Sequence, residues 1–64
     1  MSISQETLQL LFSYLSGFWK ISVPTVIEEY EDGLWTVAED GENPDRLIVN
    51  HQTREDVVID LDDL

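Results

Sequence analysis

The chain has 64 residues, no cysteine, and fourteen acids against three bases for a formal net charge of −11. That length accommodates one domain, no disulfide can brace it, and 42% apolar residues suffice for a small core, which excludes full disorder. The acidity opposes contact with anionic lipid or nucleic acid itself, and no apolar run reaches the roughly 18 residues of a membrane span.

The first element is an expected helix over about residues 4–17, in "SISQETLQLLFSYLSG". Ser2 and Ser4 both suit an N-cap. Ser2 with Gln5 has capping-box spacing, and Ser4 puts Glu6 in the first turn, beside the positive helix end. Leu8, Leu11, Phe12, Leu15, Phe18 and Trp19 recur at three- and four-residue spacing and form the apolar face. Gly17 suits a left-handed C-terminal cap. Leu10 and Tyr14 fall outside the stripe, toward solvent, a strand or another copy of the chain.

Beyond Gly17 the β-branched content rises. "WKISVPTVIEEY" predicts a strand over about 25–31, with Pro24 marking its start or an edge. Asp32-Gly33 between two β-type runs predicts a type I′ hairpin turn into a second strand, about 34–39. That register sets Tyr30 opposite Trp35 and Glu28 opposite Val37. Val26, Glu28, Tyr30, Trp35 and Val37 then face the helix, while Glu29, Glu31 and Thr36 face water. "EDGENPD" is a second break. "RLIVN" predicts a strand over 46–50, "HQTRED" a polar turn, and "VVIDL" a strand within 56–61. Residues 62–64 read as a frayed acidic tail. The expected fold class is α+β: an N-terminal helix packed on a three- or four-stranded antiparallel β-meander.

The charge is placed unevenly. Residues 1–27 hold only Glu6 and Lys20, whereas residues 28–64 hold thirteen acids with Arg46 and Arg54, and so all of the net charge. A small domain needs a net charge magnitude of only about 2–8 for solubility, and clustered like charges repel. The excess points to a docking face for a basic protein. Its candidate residues are Glu28, Glu29, Glu31, Asp32, Glu39, Asp40, Glu42 and Asp45, with Tyr14 or Trp35 as an interface aromatic. Trp19, Tyr30 and Trp35 otherwise read as core.

Catalytic and metal motifs are missing from the sequence. There is no nucleophile elbow and no phosphate loop. "DGENPD" departs from a calcium loop in the place of its glycine, and with one histidine and no cysteine a zinc site is not expected. His51 reads as an exposed turn residue. The expectation is therefore a non-catalytic, cofactor-free interaction protein that binds a basic protein surface and inhibits, masks or adapts that partner. It would be a monomer or homodimer in the cytoplasm, with no basic leader before an apolar run and no disulfide chemistry. Two other readings stay open: a nucleic-acid mimic that blocks a DNA- or RNA-binding protein, and a structural subunit or homodimer that completes a core through its helix.

Overall fold

Ser4 opens the first helix. Its backbone is extended, and its hydroxyl accepts a hydrogen bond from the Thr7 amide at 3.2 Å, which satisfies one of the donors that a helix start leaves free. The helix, α1, runs Gln5–Trp19. The computed structural model describes residues 3–64, so the expected cap at Ser2 lies outside the described residues. Leu11 and Leu15 are fully buried, with Leu8, Phe12 and Trp19 packed on the same core, as the spacing predicts. Phe18 departs from that stripe and is 43% exposed.

Gly17 does not cap α1. The helix continues two residues past it, and the left-handed conformation falls at Lys20, with φ 59°. Both the Lys20 and the Ile21 amides donate to the Ser16 carbonyl there.

The largest correction concerns residues 25–31. They form a second helix, α2, over Val23–Glu31, not a strand. Ser22 caps it by accepting from the Thr25 amide at 3.3 Å. Pro24 sits in the first turn, where an amide proton has no intrahelical acceptor to lose. The Asp32-Gly33 pair is a helix stop, not a hairpin turn. A type I′ turn needs positive φ at both residues, but Asp32 has φ −78° and only Gly33 is positive, at 77°. The Gly33 amide donates to Tyr30 and the Leu34 amide to Glu29, at 3.1 and 2.9 Å. These two bonds form a Schellman cap, which glycine accommodates without a Cβ penalty. The axis turns by 111° between α1 and α2.

Three strands follow: β1 over Trp35–Glu39, β2 over Arg46–His51 and β3 over Val57–Asp60. They make an antiparallel meander in the order β1-β2-β3. The fold class is thus α+β, with two helices preceding a three-stranded sheet. Because α2 is helical, β1 pairs with β2: His51 stands opposite Trp35, and Val49 opposite Val37. Leu47 and Val49 in turn face Ile59 and Val57. Strand alternation places these side chains on the face toward the helices. Trp35, Leu47, Val49, Val57 and Ile59 are all buried there, with Val26 entering from α2. The expected frayed tail is a 3₁₀ turn, Leu61–Asp63, with Leu64 against the core and the Leu61 amide donating to Asp45 at 2.8 Å. No single helix among the described residues is long and apolar enough to cross a membrane.

Candidate functional site

The acids expected to form one docking face are divided between two ends of the sheet. Glu28, Glu31 and Asp32 lie exposed on α2 and its cap. Glu39 ends β1, and Asp40, Glu42 and Asp45 occupy the β1–β2 connection. About 14 Å of strand separates the two groups. Glu28, expected to turn inward, faces solvent because residues 25–31 are helical.

The connection is held in shape by its own polar side chains. Asp40 Oδ1 accepts from the Glu42 amide at 2.9 Å, and Asn43 Oδ1 from the Asp45 amide at 3.2 Å. Local bonds of this kind favour turns over regular structure. The fold then adds acids that the sequence reading left out. Strand β3 and the 3₁₀ turn return to the same end, joined through the Leu61–Asp45 bond and an Arg46–Asp60 ion pair of 3.2 Å. Asp60, Asp62 and Asp63 thereby join Glu39, Asp40, Glu42 and Asp45. This acidic pole gathers seven carboxylates against one base, Arg46, which is already paired. The first turn of α1 borders it: Ser4 and Thr7 share a depression of about 90 Å³ with Glu39, Leu47 and Leu61.

Glu29 is not a free docking carboxylate. It accepts from Arg54 Nε and Nη2 at 3.1 and 3.0 Å and contacts His51 Nε2 at 2.9 Å, with its side chain only 15% exposed. The Arg54 guanidinium, seconded by the His51 bond, holds its carboxyl down at about 2 against the opposing effect of burial.

His51 is buried, contrary to the turn reading. Its side chain is fully enclosed, with Trp19 edge-on at 4.9 Å between ring centroids. Its Nδ1 accepts from the Thr53 and Arg54 amides, both at 3.0 Å. That arrangement fixes the tautomer: Nε2 carries the proton and donates it to Glu29. Both ring nitrogens are hydrogen-bonded inside the fold. The cluster fastens α2 to the β2–β3 turn.

Of the two candidate aromatics, Trp35 is buried at 1% exposure and belongs to the core. Tyr14 is half-buried and borders an open groove with Leu10, Ser13, Asp63 and Leu64, with a volume of about 230 Å³. Among the described residues, no three His, Cys, Asp or Glu side chains converge on a point that could hold a metal ion.

With so many acids and so few bases, charge repulsion in the folded state should be measurable. Raising NaCl from a few millimolar to physiological strength shortens the screening length from tens of ångströms to about 8 Å. The melting temperature is expected to rise by several degrees over that range, followed by circular dichroism. Flat or falling melting temperatures would show that the acids do not oppose folding.

No protein-family model matches the chain, and searches of curated proteins and of solved structures return no significant match.

Proposed function

We propose that this chain is a small non-catalytic interaction protein whose acidic pole docks on a basic protein surface and so inhibits, masks or adapts that partner. The observation that supports this most is the convergence of two chain segments, residues 39–45 and 60–63, on the pole. Acids far apart in sequence are brought together despite their mutual repulsion, and the one arginine among them is already paired. Such a charge array raises association rates and selects partners, while apolar contacts supply much of the affinity. The absence of cysteine fits a reducing, cytoplasmic setting.

The same gathering of charge favours a second reading, a nucleic-acid mimic. One hairpin is too sparse to imitate a duplex, which carries about one charge per 1.7 Å of axis, but two converging segments come closer. Here the partner would be a nucleic-acid-binding protein.

The test compares two charge-neutralised proteins. One carries Asp40→Asn, Glu42→Gln, Asp45→Asn, Asp62→Asn and Asp63→Asn; Asn at position 40 keeps the turn's acceptor. The other carries Glu28→Gln, Glu31→Gln and Asp32→Asn on α2. Partners captured from host lysate at low and high salt are identified by mass spectrometry, and affinities are then measured with the purified partner. The pole variant is expected to lose at least about tenfold in affinity, or about 1.4 kcal/mol, with a shallower salt dependence, while the α2 variant binds as the wild type does. Equal binding by all three would make the pole a solvated surface. Competition by duplex DNA distinguishes the mimic from other docking proteins.

A further inference from the structure

Helix α1 carries a second apolar stripe that the core uses only in part: Tyr14 packs against the core, while Leu10 and Phe18 are exposed. Leu10, Tyr14 and Phe18 follow one another at four-residue spacing, which places them along one side of the helix. Leu10 is 48% and Phe18 43% exposed. The groove of about 230 Å³ between Tyr14 and Leu64 opens on this side, with Ser13 and Asp63 in its lining. It is below the roughly 300–1,000 Å³ of small-molecule sites and suits one or two inserted side chains.

Gly17 supplies an independent observation. It lies one helical turn past Ser13, inside α1. Glycine is the weakest helix former after proline, so its presence calls for a reason. Positive φ is not the reason, because that conformation falls at Lys20. Internal crowding is not the reason either: a Cβ at Gly17 would meet nothing within 4 Å. What a bare backbone does there is let another molecule approach closely.

Charge selects the occupant. Glu6 precedes Leu10 by one turn on the same side, and Asp63 lines the groove, next to Asp62 and the rest of the acidic pole. A second copy of this chain would bring another −11 against these carboxylates and would be repelled. A basic amphipathic helix meets both demands, with its apolar side on Leu10, Tyr14 and Phe18 and its lysines or arginines toward Glu6, Asp62 and Asp63.

We infer that the Leu10–Tyr14–Phe18 stripe, the open groove lined by Ser13, and the bare backbone of Gly17 one helical turn further along form the docking site for a basic amphipathic helix of a partner protein. This inference rests on the reading of the acidic pole as a docking surface, and it supplies the apolar contacts which that reading needs.

The test uses the full chain, isotope-labelled for NMR, at physiological salt. One probe is a synthetic leucine–lysine peptide of about four helical turns with leucines spaced three and four apart. The other has the same composition in scrambled order, with no apolar face. The ordered peptide is expected to bind at least about tenfold more tightly, with chemical-shift changes concentrated on α1 and residues 61–64. Gly17→Leu and Ser13→Arg should both erase that preference; Ser13 is exposed, so the second variant serves if the first fails to fold. Gly17→Ala should raise the melting temperature by about 2–6 °C and still weaken the ordered peptide by at least about threefold.

Equal affinity for both peptides overturns the groove; if neutralising the pole then abolishes both, the pole reading stands without it. Absence of binding by either peptide overturns the two readings together. A preference that survives Gly17→Leu and Ser13→Arg, or shifts confined to the outer face of the sheet, also overturns the groove. So does sedimentation showing a dimer that Gly17→Leu dissociates, because the occupant is then a second copy.

Discussion

Replacing Trp35 with alanine is expected to unfold the domain at room temperature. Trp35 is the largest fully buried side chain. Its indole packs against Phe12, Trp19 and Tyr30, with ring centroids 6.0, 5.9 and 4.7 Å away. Its Nε1 donates to the Val26 carbonyl at 3.0 Å. One side chain thus joins both helices to the first strand. Truncating a core tryptophan costs about 3–5 kcal/mol, and a core of this size rarely supplies more than about 3–5 kcal/mol in total. The two figures are equal, so nothing remains to hold the fold. Trp35→Phe keeps an aromatic body and gives up the indole hydrogen bond, for a cost of about 1–2 kcal/mol beyond any cavity it leaves; that variant should stay folded. Urea unfolding followed by far-ultraviolet circular dichroism reads both. An alanine variant that melts within about 1 kcal/mol of the wild type would show that the ring cluster is not the centre of the fold.

Glu29→Ala is expected to cost about 2–4 kcal/mol, the largest loss among the carboxylates. The substitution strips His51 Nε2–H of its acceptor in a fully enclosed position, and a buried unsatisfied donor alone costs about 1–3 kcal/mol. It also removes the two-pronged bond from Arg54. The fastening between α2 and the β2–β3 turn is lost.

The pH dependence follows from the same carboxylate. In the fold its pKa is depressed from 4.5 to about 2, chiefly by the Arg54 hydrogen bonds. A depressed acid stabilises the fold fully above its unfolded pKa, and that contribution disappears as pH falls toward the folded value. The window therefore runs from about pH 4.5 down to about 2. The useful quantity is the stability gap between the wild type and Glu29→Gln, which isolates this one carboxylate. That gap should be wide at pH 6 and close as pH falls through the window. A gap independent of pH would show that the ionised form of Glu29 carries none of the stabilisation.

Much of the architecture was legible in the sequence. Ser4 and the spacing of Leu8, Leu11, Phe12 and Leu15 identify α1, because capping and helical periodicity are properties of neighbouring residues. Alternation in "RLIVN" and "VVID", bounded by turn residues, identifies β2 and β3 on the same ground. Residues 25–31 read as a strand only when β-branched content is weighed above spacing. Val23, Val26, Ile27 and Tyr30 also recur at three and four, and Ser22 with Pro24 is a helix-start signal. Asp-Gly could not arbitrate, since glycine with positive φ serves a hairpin turn and a Schellman cap alike. Gly17 misled in a different way. Its residue type suits a helix end, where glycine is common, yet the left-handed conformation falls at Lys20.

The candidate site was less legible. The acids were visible, but their grouping was not. Asp60, Asp62 and Asp63 join the pole only because β3 runs antiparallel to β2 and returns to the loop end. Glu29 looked like its neighbours Glu28 and Glu31, and its partners His51 and Arg54 lie 22 and 25 residues away. His51 sits in a polar stretch, and no local pattern announces that its ring is enclosed by Trp19.

The sequence by itself determined the single acidic domain, the first helix, the last two strands and the lopsided charge, since each follows from composition or from residues a few positions apart. Only the tertiary structure decided whether residues 23–31 were helix or strand, which carboxylates are paired and which stand free, and which acids share a surface. The reason is physical. Burial, ion pairing and charge clustering are energies between groups close in space, and in a 64-residue chain most such neighbours are distant in sequence.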